Sequence, residues 1–257
     1  MNIYVCVKHV PDTAVNIKIS GDNTIESKGC KFVVNPYDEY AIEEAITTVK
    51  NAGQGEVIVV TVGNSDAIAS IRNALAIGAD RGILVKNDHY FLDSASTALA
   101  LKKAIENDGQ PDLILMGKTS VDSEGLQTQY RLASAFNMPI ANEVSKMEMG
   151  EGKVIVEREI EGGTRQVIEL KTPCVIGATK GLNEPRYPKL PDILKAKKKA
   201  VQELDISELG VTQDGPVAEL IKLEAVAERS AAKIIDGSTQ EMAQKLVKIL
   251  KEEEKVI

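Results

Sequence analysis

Tryptophan is absent from this chain, and aromatic residues of all kinds make up only 4% of it. Aromatic platforms on which bases could stack are therefore scarce. The formal net charge of −7 points the same way, because proteins that bind nucleic acid usually present a basic face. We expect no nucleic-acid partner.

Cysteine and histidine are also few. Cys6, Cys30 and Cys174 are widely spaced and form no CxxC pair, which fits a reducing cytosol better than a disulfide framework or a zinc or iron–sulfur site. His9 and His89 are the only histidines, and neither lies in a nucleophile motif, which disfavours hydrolysis. The sequence predicts neither a metal site nor a catalytic residue.

Long apolar runs are missing as well. No segment approaches the roughly 20 apolar residues of a membrane span. The first ten residues carry Lys8 and His9 before any run long enough for an export signal. We expect a cytoplasmic protein without membrane insertion. The phosphate-binding patterns GxxxxGK[ST] and GxGxxG do not occur either.

What the chain does contain, in 257 residues, is a regular alternation of apolar runs and amphipathic segments. Asn2 to Val10 reads as the first and central strand, and the helix that begins near Pro36 has Asn35 as its expected N-cap. Strands that alternate with helices across short connections are typical of a mostly parallel sheet covered on both faces. We predict an α/β, Rossmann-like fold.

The pattern changes after residue 139. Residues 153–171 form two alternating runs around Glu161, Gly162 and Gly163, which predicts an added β-hairpin, and residues 15–20 alternate in a way that predicts another antiparallel strand. Residues 201–237 look like a poor core-former, and residues 239–256 read as an amphipathic helix. We predict a nucleotide-binding domain over 1–200 and a C-terminal arm over 201–257. The arm helix packs either on a partner subunit or on the chain's own sheet.

The segment GKTSVDSEGLQT, Gly117 to Thr128, is the candidate site. It joins a buried strand to a helix, and it offers Lys118, several hydroxyls and two glycines. Unpaired N–H groups and the dipole at a helix start favour a phosphate, and ligands of open α/β sheets lie off the carboxyl ends of the strands. The alternative is an ordinary polar loop in which Asp122 or Ser123 caps the helix.

Three prolines, at 185, 188 and 191, stiffen the chain before a lysine-rich helix. The lysines at 195 and 197–199 are typical of a solvated helix face. Leu190, between Pro188 and Pro191, is instead an apolar side chain on a rigid segment, which suits a protein-docking anchor.

Three segments together resemble the β subunit of electron-transfer flavoproteins. They are VNPYDEYAIEEA, GKTSVDSEGLQT and the long stretch from VEREIEGG through NEPRYPKLPDILKAKKK, and the similarity runs over nearly the whole chain. The resemblance implies a heterodimer with an α subunit, an FAD shared with that subunit, and a nucleotide held in β. It implies an electron carrier and not an enzyme.

The resemblance also implies residue roles. Cys6, Val59 and Val62 would wall the adenine, hydroxyls and N–H groups of the loop would hold the phosphate, and Tyr37 would approach the flavin. The nucleotide pocket as a whole corresponds to Cys6, Asn35, Pro36, Tyr37, Asp38, Val59, Val62, Gly117, Lys118, Thr119, Ser120, Val121, Asp122, Ser123, Glu124, Gly125, Leu126, Gln127 and Thr128. Partner binding corresponds to Glu159, Pro188, Leu190, Pro191 and Ile193.

Three functions remain open from the sequence. The first is a carrier with AMP in β, which accepts electrons from an acyl-CoA dehydrogenase and passes them to a quinone oxidoreductase or another acceptor. The second is an electron-bifurcating subunit with a second FAD in that pocket. Gln127 and Thr128 follow the AMP type of the family. The third is a stress-type ATP-binding protein, against which the long hairpin argues.

Overall fold

The computed structural model describes residues 1–15, 17–21, 24–26, 29–89, 91–211, 218–225 and 232–257. The chain divides into two compact units, Met1–Leu223 and Glu224–Ile257. Among the described residues, no helix has the length and apolar character needed to cross a bilayer. No group of three or more His, Cys, Asp or Glu side chains in this part of the chain is arranged to hold a metal ion.

Strands and helices alternate as predicted. The strands are β1 (Asn2–Cys6), β2 (His9–Pro11), β3 (Phe32–Val34), β4 (Glu56–Gly63), β5 (Arg81–Lys86), β6 (Leu113–Gly117), β7 (Ile140–Gly150), β8 (Lys153–Ile160), β9 (Thr164–Lys171), β10 (Cys174–Ala178) and β11 (Val201–Asp205). The helices are α1 (Pro36–Ala52), α2 (Ile68–Ile77), α3 (Ser94–Asp108), α4 (Thr128–Phe136), α5 (Leu190–Ala196) and α6 (Thr239–Lys248).

Nine strands form one sheet in the order β11-β5-β4-β1-β6-β10-β7-β8-β9. All neighbours from β11 to β7 are parallel, and β7, β8 and β9 are antiparallel. The mostly parallel sheet, the central position of β1 and the hairpin after residue 150 are therefore confirmed. β9 ends the sheet at one side. β2 and β3 pair separately in a small antiparallel sheet.

Helices cover both faces of the sheet, as its sequence pattern predicts. Side chains of a strand point alternately to the two faces, so Ile3 and Val5 join a core cluster with α1 and α2. Tyr4 and Cys6 of the same strand join a second cluster with α3 and α4. Burial on both faces explains why the central strands are continuous apolar runs.

Three predictions about secondary structure were wrong. The predicted first strand, Asn2 to Val10, is divided, since β1 ends at Cys6 and His9–Pro11 pairs with β3 in the small sheet. Residues 15–20 form no strand in their described part, where a single bridge joins Ile19 to Ile25; Asn16 lies outside the described residues. The segment after residue 200 is also more ordered than its composition predicts. Val201–Asp205 pairs in parallel with β5, and Leu209 and Val211 are buried. The first compact unit consequently extends past the predicted division at residue 200.

The second unit contains the predicted C-terminal helix. α6 begins with a capping box, in which the Glu241 N–H donates to Ser238 Oγ and the Ser238 N–H donates to Glu241 Oε2 at 2.9 Å. Such reciprocal bonds satisfy two otherwise unpaired donors at a helix start. The apolar Met242, Leu246 and Val247 are exposed on this helix. Packing of the arm on a partner stays a prediction.

Candidate functional site

The predicted loop lies at the carboxyl edge of the central sheet. β6 ends at Gly117, beside β1 and β10, and the Lys118 N–H donates to the Ala178 carbonyl at 2.8 Å. The chain then runs through residues 118–127 before α4 begins at Thr128. This is the edge where open α/β sheets bind their ligands.

Asp38 joins the three chain segments that meet at this edge. Its Oδ2 accepts the Lys8 N–H at 2.7 Å, and its Oδ1 accepts the Gly117 N–H at 2.9 Å and the Asn35 side-chain amide at 3.0 Å. The residue is 4% exposed. Burial raises the pKa of Asp38 to about 7, although the three donors act in the opposite direction. Asp38 therefore fixes the ends of β1 and β6 to the start of α1.

Asn35 has a different role from the one its position suggests. It occupies the N-cap position of α1, but its side chain makes no capping hydrogen bond. Its amide instead donates to the Thr119 carbonyl at 2.9 Å and accepts the Val121 N–H at 3.1 Å. The prediction that the Asn35 side chain caps α1 was wrong. The amide is occupied by the Thr119 carbonyl, which accepts from its nitrogen, and by the Val121 N–H, which donates to its oxygen. Asn35 holds the loop in place.

Gly117 permits the close approach of β6 and α1. A Cβ at this position would lie 2.7 Å from the Tyr37 Cβ and 2.8 Å from the Tyr37 carbonyl carbon, and it would collide with Asp38 Oδ1. Any side chain here would displace the start of α1. The glycine is thus required by packing at the site.

The loop carries its own polar network. Lys8 Nζ lies 2.8 Å from Asp122 Oδ2 and 3.4 Å from Ser120 Oγ. The hydroxyls of Ser120 and Ser123 are 2.9 Å apart. The Lys8 ammonium and the hydroxyls of Ser120 and Ser123 therefore lie close together. Cationic and hydroxyl donors of this kind form hydrogen bonds to phosphate oxygens.

Neither Asp122 nor Ser123 caps α4, so the predicted N-cap of this helix was wrong. Gln127 occupies the N-cap position and makes no side-chain capping bond. Its Oε1 accepts instead from Ser94 Oγ at 3.2 Å and from Arg131 Nη2 at 3.0 Å. Asp122 is engaged by the Lys8 ammonium. Because no side chain caps the helix, its first N–H groups remain suited to an anion.

The backbone of the loop is unusual at two positions. Glu124 and Leu126 have φ of 47° and 53°, a left-handed conformation that side chains with a Cβ rarely adopt. The Gln129 side-chain amide stabilises this shape, since it donates to the Lys118 carbonyl at 2.8 Å and the Leu126 carbonyl at 3.3 Å. Gln129 is 2% exposed. Strained backbone that neighbours hold in place is a feature of ligand sites.

The predicted adenine wall is only partly assembled. Cys6 and Val62 face the same side of the sheet, toward α3 and α4. Val59 faces the opposite side and has no exposed surface, so its side chain is not brought to the site. Burial raises the pKa of the Cys6 thiol. The thiol therefore stays neutral and offers an apolar surface.

Tyr37 and Lys118 form a second feature beside the loop. Lys118 Nζ lies 5.3 Å from the centre of the Tyr37 ring and 4.0 Å from Glu143 Oε2. A cation over an aromatic face is attracted by the ring quadrupole. Pro36, at the first turn of α1, precedes this pair. The Thr119 hydroxyl is buried without a hydrogen-bond partner in the described residues.

Two residues of the site were missed from the sequence. Lys8 lies two residues beyond the end of β1, and its place in a polar strand end was a usable signal. Gln129 gave none, because a polar residue in an amphipathic helix is normally assigned to the solvent face.

The predicted partner-binding residues lie on other surfaces. Leu190 is 71% exposed and is the first residue of α5, so it starts a helix and does not lie on a loop. Pro191 and Ile193 follow it on this helix, and Pro188 precedes it. Glu159 is exposed on β8. These surfaces are accessible to a partner.

The segment before α5 is anchored on α1. Arg186 Nε and Nη2 donate to the two oxygens of Glu43 at 2.7 and 2.5 Å. The Asn183 amide donates to the Tyr40 carbonyl at 3.0 Å and to Glu44 Oε2 at 2.9 Å. Two bonds from one guanidinium fix orientation as well as distance. The exposed start of α5 is therefore presented on a rigid support.

The predicted lysine-rich helix face is not wholly helical or solvated, because α5 ends at Ala196 and Lys197, Lys198 and Lys199 follow it. Lys199 Nζ donates to the Leu75 carbonyl at 3.0 Å and to the Ala79 carbonyl at 2.5 Å. It thus satisfies carbonyls at the end of α2, where a positive charge is favoured by the helix dipole. Lys195, Lys197 and Lys198 are exposed as predicted.

Comparison with known proteins gives one consistent result. The family model of the electron transfer flavoprotein domain matches residues 22–209. A protein of Bacillus subtilis is 36% identical over 261 residues, with 100% of each chain covered. A human protein is 36% identical over 253 residues, or 97% of this chain and 98% of its own length. One from Syntrophomonas wolfei is 40% identical over 201 residues, 78% of each chain. All three are named electron transfer flavoprotein subunit beta.

Proposed function

The chain belongs to the electron transfer flavoprotein family as a β subunit, and on that premise we propose that it forms a heterodimer with an α subunit and shares an FAD with it. The FAD supplies electron transfer when it is bound. The residues of this chain contribute position and charge. The protein is a carrier of electrons and has no substrate of its own.

We further propose that the loop of residues 117–128 holds AMP in a structural role. The observation that carries this proposal is the attachment of the loop to Asn35 and Asp38, which fixes its N–H groups and hydroxyls before any ligand arrives. Preorganised donors avoid the ordering cost of binding. Cys6 and Val62, which face the same side of the sheet, would line one side of the pocket, and the hydroxyls of Ser120 and Ser123 would face the phosphate.

Tyr37 is the proposed contact of this chain with the flavin. Its ring lies at the start of α1, next to the Lys118 ammonium. The aromatic face would pack against the flavin ring, and the ammonium would favour negative charge nearby. The main contacts of the flavin would come from the α subunit.

Two external partners follow from the exposed surfaces. An acyl-CoA dehydrogenase would dock on Leu190 with Pro188, Pro191 and Ile193, since a large exposed apolar side chain on a rigid support is a usual binding anchor. Glu159 would help to hold the flavin-bearing domain of the α subunit. Electrons would then pass to a quinone oxidoreductase or another acceptor. The arm of the second unit would pack on the α subunit.

The test is to co-purify the chain with its α subunit, denature the complex and count the nucleotides by chromatography. One FAD and one AMP per heterodimer are expected. Two FAD without AMP would assign the chain to the bifurcating type, in which the pocket holds a second flavin. ATP without any flavin would contradict the carrier role.

A further inference from the structure

Lys8 contacts the candidate site through both its backbone and its side chain. Its backbone N–H donates to Asp38, and its carbonyl accepts the Asn35 N–H at 2.9 Å. Its side chain leaves this node and reaches the loop, where Nζ lies 2.8 Å from Asp122 and 3.4 Å from Ser120 Oγ. The ammonium thus lies beside the Ser120–Ser123 hydroxyl pair.

The ammonium of Lys8 keeps capacity for a ligand. An ammonium has three N–H donors, and the contacts within the described residues go to Asp122 and Ser120 alone. The Lys8 side chain is 46% exposed and that of Asp122 is 24% exposed. An ion pair this accessible contributes little to stability, so the fold gains little from it. Stability therefore does not explain why the Lys8 ammonium lies beside the loop hydroxyls.

The other cations near the loop are directed elsewhere. Lys118 lies over the Tyr37 ring and 4.0 Å from Glu143. Arg131 donates to the Gln127 side chain. Of these three cations, Lys8 is the one that contacts the hydroxyl pair.

We propose that the ammonium of Lys8 binds the phosphate of the nucleotide, with Asp122 holding it in the direction of the hydroxyls of Ser120 and Ser123. This inference rests on the proposed function, because it assumes that the loop holds a nucleotide. It adds a residue that the family resemblance did not assign to the pocket.

The test compares AMP with adenosine, which differ in the phosphate alone. The αβ complex is freed of bound nucleotide, and calorimetry measures the affinity of each ligand for the wild type and for Lys8→Gln. Loss of a charge-assisted hydrogen bond to a phosphate should weaken AMP about 10- to 100-fold. Adenosine should bind to both proteins within about twofold. Lys8→Arg, which keeps the charge, should recover most of the AMP affinity.

Lys153→Gln is the matched control. Lys153 is 45% exposed and forms an ion pair of 2.7 Å with Glu169 on the hairpin, so it resembles Lys8 in exposure and pairing but lies away from the loop. Its removal should leave both affinities unchanged. The FAD content of each complex reports that the variant has folded and assembled.

The outcomes separate the inference from its premise. Equal weakening of AMP and adenosine in Lys8→Gln would show that Lys8 only shapes the loop and would overturn the inference. Unchanged AMP affinity would overturn it as well. A wild-type complex that does not prefer AMP over adenosine would instead overturn the proposed nucleotide role, and the inference with it.

Discussion

Single side chains decide the geometry of the candidate site. Asn35 and Asp38 were predicted from the family resemblance to line the nucleotide pocket, and both contact the segment of residues 117–128. They are nevertheless buried, at 1% and 4% exposure, and their polar atoms bind the loop and the strand ends. They position the groups that would contact a ligand.

The carboxyl of Asp38 gives a prediction about pH. Burial raises its pKa from 3.8 to about 7 in the folded chain, so the folded state holds this proton where the unfolded state has lost it. The resulting stabilisation is complete below the unfolded value and disappears as the pH rises to about 7. The stability advantage of the wild type over Asp38→Asn should therefore shrink by about 2–4 kcal/mol between pH 4 and 8.

Urea unfolding of both proteins at several pH values across this interval measures that difference, since other carboxyls titrate alike in both. An advantage that stays constant, or that grows with pH, would contradict the prediction.

Gly117 gives a second prediction at this scale. Gly117→Ala should lower the free energy of unfolding by about 1–3 kcal/mol, because the new methyl group would overpack against Tyr37 and Asp38. Gly125→Ala is the control, since a Cβ there meets no atom within 4 Å, and it should change stability by less than about 0.5 kcal/mol. Thermal and chemical unfolding check both values. Equal effects of the two substitutions would refute the packing argument.

At the scale of elements, an ion pair is the charged anchor of the segment before α5. The Glu43 side chain is 9% exposed, and removal of the Arg186 guanidinium would leave its charge buried with only two donors at 3.3 Å, the Thr47 hydroxyl and the N–H of residue 186. Arg186→Ala should therefore lower the free energy of unfolding by about 1–3 kcal/mol. Arg165→Ala, which removes a 3.9 Å ion pair between β9 and Glu157, should have little effect. The urea midpoints of the two variants and the wild type measure these effects. A midpoint of Arg186→Ala close to that of the wild type would mean that the ion pair does not hold the segment.

The start of α5 gives a prediction about function. Leu190→Ala should leave stability unchanged within about 0.5 kcal/mol, because the side chain is 71% exposed. It should raise the KM of the dehydrogenase for this carrier about tenfold or more, as expected for a binding anchor. Val167→Ala, on the hairpin and 64% exposed, is the control and should change neither quantity. Reduction of the carrier's flavin by the dehydrogenase supplies the measurement, and an unaltered KM would exclude Leu190 as the anchor.

The elements themselves were largely predictable, because periodicity and turn residues depend on local sequence. The central strands, the helix after Asn35 and the hairpin all follow their patterns. Long-range pairing was not predictable in this way. β11 looked like part of a weak arm, and its partner β5 is more than a hundred residues earlier in the chain. The role of Gln129 was not predictable either, because it depends on how the loop folds back onto α4 and brings two loop carbonyls to the Gln129 amide.

At the scale of the whole chain, the two compact units lead to the last prediction. A chain that ends at Leu223 retains every strand of the nine-stranded sheet, and should keep the secondary structure of that unit by circular dichroism. It should lose most of its yield of heterodimer, because the apolar side chains of α6 would no longer cover the α subunit. Native mass spectrometry of the co-expressed subunits gives the ratio, and an undiminished yield would place the arm outside the interface.

The position of β9 at the edge of the sheet affects the tendency of the unassembled chain to aggregate. An edge strand presents unpaired N–H and C=O groups to any other strand it meets, and this is a common route to aggregation. Arg165, Glu169 and Lys171 place charges of both signs along this edge. Before it assembles with the α subunit, the β subunit is exposed to other protein in solution. The charges on β9 disfavour pairing of this edge strand with the same strand of a second β subunit.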